Sequence, residues 1–198
     1  MATEIELKAW ISNPDEISSR INSLAAYMGT FEKNDSYFVL AASDNKAPAA
    51  AQKKPEYGIR IRNEKTVDPE GISRETCYVT WKHKEIHDRV EVNNENEFEV
   101  SSGQTFIELI KHLGLVELIR KRKTGRSYKY NDITAELAEV DGLGWFIEIE
   151  ILMQENEKIN VEFQRNRLLL FLEKLNIPKE SIESRSYTQM LLANNAGP

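Results

Sequence analysis

One cysteine, Cys77, occurs in 198 residues, which excludes an internal disulfide and any cysteine-based metal cluster. Histidine is scarce too, at three residues, and His83 and His87, though four apart, fall in a strand and turn context rather than on the helix face a zinc pair needs. No apolar run approaches the roughly 20 residues that cross a bilayer, and the N-terminus carries no basic-then-apolar signal pattern. Excess positive charge is missing: 26 Lys and Arg against 32 Asp and Glu leave a net charge of −6, which argues against wholesale nucleic-acid binding. These absences predict a cytoplasmic, reduced protein with no membrane partner.

What is present is a chain that is 40% hydrophobic and 29% charged, ordinary globular material long enough for one large domain over residues 1–198. Asn13-Pro14-Asp15-Glu16 caps a helix in which Ile17, Ile21, Leu24 and Met28 recur at helical spacing until Gly29. Strand material follows at 36–40, and the Ala-, Lys- and Pro-rich residues 41–55 predict a mobile surface loop. Strands are expected at 57–62, 75–84, 87–92 and 97–100, with long polar connections such as 63–74 between some of them. A second amphipathic helix carries Phe106, Leu109, Ile110 and Leu113 before Gly114. Strands return at 115–123, 126–130, 133–140 and 145–152. Two helices, at 161–175 and 179–192, close the chain around Asn176-Ile177-Pro178.

The strands share one peculiarity. Glu4, Glu6 and Lys8 alternate with Ile5 and Leu7, so the charges occupy one face of a strand and the aliphatics the other. Taken alone, that is a half-exposed surface strand. The arrangement recurs in Arg60 and Arg62, Lys82 and Lys84, Arg89 and Glu91, Lys121 and Lys123, and Glu148 and Glu150, with the wholly basic and wholly acidic pairs gathered on different strands. The helices are amphipathic as well, so their apolar stripes need a partner. A sheet curled into a barrel with helices outside satisfies both and turns the charges inward.

Such an interior must be wide and wet, because unpaired charges taken out of water lose several kcal/mol each, to an order of magnitude. Clustered Arg and Lys suit a polyanion, with Arg gripping phosphate oxygens bidentately. Carboxylates in the same space repel that anion unless a divalent cation lies between, and hard oxygen donors suit Mg²⁺ or Mn²⁺.

The order Glu4-x-Glu6-x-Lys8, GIRIR, TWKHK, LGWFIEIE and a closing SYTQMLL resembles the CYTH family of triphosphate tunnel metalloenzymes, which includes class IV adenylyl cyclases, thiamine triphosphatases and inorganic triphosphatases. The similarity runs from Glu4 to about Leu192. It implies an α+β fold, an eight-stranded antiparallel β-barrel with amphipathic helices packed outside. It further implies metal ligation by Glu4, Glu6 and Glu148 with Glu150 as a further ligand, and a catalytic set of Glu4, Glu6, Lys8 and Glu148. Phosphates would be held by Lys8, Arg60, Arg62, Lys82, Lys84, Arg89, Lys121, Lys123 and Arg126. Two positions depart from the pattern: Gly125 stands where relatives often carry arginine, and Ala138 where they often carry aspartate.

The expected activity is Mg²⁺- or Mn²⁺-dependent hydrolysis of a triphosphate-containing small molecule, because positioning and charge neutralisation are most of what phosphoryl transfer requires. The alternatives are cyclisation of ATP to cyclic AMP, which needs a nucleoside pocket that the sequence does not display, and non-catalytic polyphosphate binding, which makes no use of the acidic doublets. The run from Arg120 to Lys123 with Arg126 reads as a strand with both faces charged rather than a nucleic-acid patch. Tyr187 reads as docking the last helix, and Trp145 as apolar cover.

Overall fold

The alternating pattern becomes eight strands in a computed structural model that describes residues 2–41, 58–87, 90–153 and 160–195, with the side chains of 2, 82–87 and 93–95 outside the description. They are β1 (Ala2–Trp10), β2 (Ala26–Leu40), β3 (Ile59–Val67), β4 (Ser73–His87), β5 (Val90–Glu99), β6 (Leu115–Tyr130), β7 (Ile133–Val140) and β8 (Gly144–Met153). All pairings are antiparallel, and the order β1-β5-β4-β3-β2-β6-β7-β8 closes on itself. Closure removes every sheet edge and gives the strands an inner and an outer face.

Most of the buried apolar residues take the outer face. Ile5 and Leu7 of β1 join Ile147, Ile149 and Ile151 of β8 beneath α1 (Pro14–Leu24) and α3 (Val161–Lys174), which contribute Ile17, Ile21, Leu168, Phe171 and Leu172. Phe38, Ile61 and Val79 lie under Ile110 of α2 (Gly103–His112). Each such side chain adds roughly 1.5–3 kcal/mol on burial, so the fold is held between barrel wall and helices, and the barrel interior is left for other uses. Asn13 and Asn160 cap α1 and α3 by accepting from the N–H of Glu16 and Phe163.

Several expected elements are corrected. The first helix ends at Leu24 rather than Met28, because residues 26–28 enter β2, which pairs with β6 along its length; Tyr27 and Met28 are substantially exposed. Most of β2 therefore lies where no strand is predicted. The expected polar connection 63–74 is largely strand, with β3 and β4 joined by a tight turn in which Asp68 Oδ1 accepts from Ile72 N at 2.8 Å. Strands expected at 115–123 and 126–130 are one strand, β6, and those at 87–92 and 97–100 are one strand, β5. The expected last helix is a 3-10 turn at Lys179–Ser181 followed by α4 (Tyr187–Asn195), because Ile182 bridges to Ala9 and Glu183 N donates to Lys8 O. The expected loop at 41–55 lies, after Ala41, outside the described residues.

Candidate functional site

Strand parity sends Glu4, Glu6 and Lys8 of β1 inward, and the same holds for Lys33 and Tyr37 of β2, Arg60, Arg62 and Glu64 of β3, Lys121 and Lys123 of β6, Glu136 of β7, and Glu148 and Glu150 of β8. Together they line a cavity of about 780 Å³. One lumen thus receives both charge signs.

The cations are organised by carboxylates. Asp35, fully buried, accepts from Arg62 Nε at 2.7 Å and Nη2 at 3.0 Å and pairs with Lys121 at 2.9 Å. Burial opposes its ionisation, yet Arg62 and Lys121 hold its pKa well below the usual carboxylate range. Lys8 donates to Glu91 at 2.6 Å; burial works against its charge, and Glu91 followed by Glu6 raises its pKa. Lys33 and Lys123 donate to Glu136 at 2.6 and 2.8 Å, and Lys123 also bonds Glu148. Against burial, Lys123 and Lys33 lower the Glu136 pKa to about 2, and Lys123 and Lys121 hold Glu148 low. Arg60 Nη2 meets Thr80 at 3.0 Å and Glu97 at 3.3 Å, while its buried Nε has no hydrogen-bond partner among the described residues.

Toward the other end the balance is acidic. Glu6 and Glu150 are register partners on neighbouring strands, and Glu91 is the register partner of Glu6 on the other side. Burial raises the Glu150 pKa; a hydrogen bond with Glu4 tempers this, and the carboxylates of Glu136 and Glu6 add to it. Like charges facing each other across a strand pair are unfavourable unless a proton or cation intervenes. The donor set Glu4, Glu6 and Glu150, all carboxylate oxygen, therefore fits a hard divalent cation in its chemistry. Among the described residues no three such side chains stand grouped at metal-holding distance, and Glu148 is engaged by Lys123.

The expected site residues Glu4, Glu6, Lys8, Arg60, Arg62, Lys121, Lys123, Glu148 and Glu150 all reach the lumen. Arg126 does not: it is three residues from Lys123 on the same strand, so it points outward, and its Nη1 donates to Ser18 of α1 at 2.8 Å. Arg89 and the side chains of Lys82 and Lys84, like those of His83 and His87, lie outside the described residues. Sequence reasoning missed Lys33, Asp35, Glu64 and Glu136. Phe31, Lys33, Asp35 and Tyr37 do alternate, but Glu32 and Asn34 between them are polar, so no apolar face marks a strand. Arg120 and Arg122 face out, to Glu117 and Glu32.

Gly125 and Ala138, the two departures from the family pattern, are register partners. A Cβ on Gly125 would lie 2.4 Å from Leu137 O and 2.7 Å from Ala138 Cβ, so the two small residues are one packing feature in which β6 and β7 approach closely.

The family model described as the CYTH domain matches residues 2–187. A protein of Methanocaldococcus jannaschii named as a candidate adenylate cyclase is 27% identical over 189 residues, 94% of this chain and 97% of the relative. The solved structure of the PH1819 protein of Pyrococcus horikoshii OT3 superposes with a TM-score of 0.79 at 27% identity, covering 96% of this chain and 99% of that one. A candidate adenylyl cyclase of Hippeastrum, described as having a dominant triphosphatase activity, shares the fold with a TM-score of 0.62 at 17% identity over 99% of this chain and 96% of that one.

Proposed function

Because the chain belongs to the CYTH domain family, we propose that its lumen binds the triphosphate group of a small molecule and hydrolyses it with the help of Mg²⁺ or Mn²⁺. The observation that carries this reading is the convergence of Lys8, Lys33, Arg60, Arg62, Lys121 and Lys123 with Glu4, Glu6, Glu148 and Glu150 on one cavity of about 780 Å³. A pure anion binder has no use for carboxylates beyond those that orient its basic groups, and a pure cation site gains nothing from six basic groups.

The chain's own residues do most of what phosphoryl transfer asks. Asp35 holds the Arg62 guanidinium and the Lys121 ammonium in fixed orientation, so they meet an anion without reorganising. Arg60 keeps a buried Nε donor to spare. Lys123 bridges Glu136 and Glu148 and joins the basic cluster to the acidic one. A divalent cation held by Glu4, Glu6 and Glu150, with Glu148 as a further ligand, would supply neutralisation of phosphate charge. Hydrolysis breaks the terminal P–O bond and releases orthophosphate.

The name of the M. jannaschii relative supports a second reading, cyclisation of ATP with release of pyrophosphate. Incubating the protein with tripolyphosphate, ATP and thiamine triphosphate, with Mg²⁺ and then Mn²⁺, separates the readings by product. We expect metal-dependent orthophosphate release. Cyclic AMP as the main product from ATP would replace hydrolysis with cyclisation, and tight binding with no product would leave a polyphosphate-binding module.

A further inference from the structure

The first turn of α4 borders the same lumen as the charged strands. Ser186, Tyr187, Thr188 and Gln189 all line the cavity, and α4 seats Tyr187 and Met190 against Val140 and Phe146, which share the inward face with Glu136 and with Glu148. Ser186 and Gln189 cap the helix reciprocally: Gln189 N donates to Ser186 Oγ at 3.2 Å and Ser186 N to Gln189 Oε1 at 2.8 Å. The helix therefore presents the positive end of its dipole, and first-turn N–H groups that have no intrahelical acceptor, to the cavity.

A second observation points to a ligand here. Tyr187 is 7% exposed, and its hydroxyl makes no hydrogen bond of normal geometry among the described residues. Carboxylates including Glu148 act on it electrostatically, and Lys123 engages Glu148 through Oε2. The ring itself is fixed, edge-on to Phe146 with centroids 5.0 Å apart, and two ammonium groups lie over it, Lys121 at 5.0 Å and Lys8 at 5.6 Å from its centroid. A buried donor without a hydrogen-bond partner, carried on a ring that two lysine ammonium groups overlie at a helix N-terminus, is unfavourable in the free protein and suited to an anion.

We propose that Tyr187 is a phosphate-binding residue: its hydroxyl donates to a phosphoryl oxygen held between Lys8 and Lys121, with the first turn of α4 completing that subsite. This rests on the reading of the lumen as a triphosphate site. It assigns α4 a direct part in ligand binding beyond docking the chain's end.

The test is Tyr187→Phe, which keeps the ring, its contact with Phe146 and both lysine contacts while removing only the hydroxyl. Calorimetric titration with tripolyphosphate in the absence of metal should show affinity weakened about ten-fold, as expected for a hydrogen bond to a charged group. The melting temperature of the free variant should stay equal or rise, since an unsatisfied buried donor is deleted. A merely structural role would lower stability, so affinity and stability moving in opposite directions is the signature. Binding by the variant within two-fold of the parent overturns the assignment, as does a fall in stability that accompanies weaker binding. Tripolyphosphate binding by the parent without turnover removes the catalytic reading and leaves the Tyr187 comparison intact; no binding by the parent overturns both.

Discussion

Asp35 shows how single residues set this interior. Its carboxylate is the shared partner of Arg62 and Lys121 and has no exposure to solvent. Asp35→Asn should cost about 3 kcal/mol of stability in urea unfolding, because two basic groups lose a buried counter-charge. The pH dependence follows from the depressed pKa. The carboxylate's contribution is complete above its unfolded value near pH 4 and is lost as pH falls through the lower folded value, so the parent should lose stability on acidification below about pH 4. The asparagine variant should have a flatter acid limb; identical acid limbs for the two proteins would show that Asp35 does not make this contribution. Glu6 lies across from Glu150 and Glu91. Glu6→Ala should abolish metal-dependent turnover while tripolyphosphate affinity measured without metal holds or improves. Retained turnover would remove the acidic doublet from the chemistry.

Elements answer to constraints that local sequence does not display. The apolar spacing Ile17, Ile21, Leu24, Met28 reads as one helix, yet the last turn of it is strand, because pairing β2 to β6 satisfies backbone groups that a longer α1 would leave without partners. The two strands expected at 115–123 and 126–130 are one, and Gly125 in the gap between them lets that long strand press against β7. Gly125→Ala should destabilise by about 2 kcal/mol through overpacking against Leu137 O and Ala138, and a neutral effect on the melting temperature would show that β7 can shift away. The cap of α3 behaves more simply: Asn160→Ala removes the acceptor for Phe163 N and should lower stability by about 1 kcal/mol. Helices with a cap and a clear start were legible, while helix ends and strand joins, set by partners distant in sequence, were not.

At the scale of the whole molecule, the closed barrel couples binding to stability. Every strand contributes to one ring, so a ligand that bridges Lys8 on β1, Arg60 and Arg62 on β3 and Lys121 on β6 ties distant parts of the chain together. Tripolyphosphate at about a hundred times its Kd should add roughly 2.7 kcal/mol of stability, seen as a raised melting temperature. Arg60→Ala combined with Arg62→Ala should blunt that rise. An equal rise in the double variant would place the anion outside the lumen.

By itself the sequence determined which charges share a strand face: side chains two apart must lie on the same side, so Glu4 with Glu6, Arg60 with Arg62 and Glu148 with Glu150 were legible as pairs from the alternation alone. Arg126 was open to the same reasoning, since an odd offset from Lys123 puts it on the outer face. Only the tertiary structure decided which charges neutralise which, because ion pairs such as Lys8 with Glu91 and Arg62 with Asp35 join strands separated by 83 and 27 residues. The barrel's closure also brought the first turn of α4 to the lumen and set the Tyr187 ring under two lysine ammonium groups. Parity along a strand is local geometry, whereas proximity across a barrel depends on the whole chain having closed.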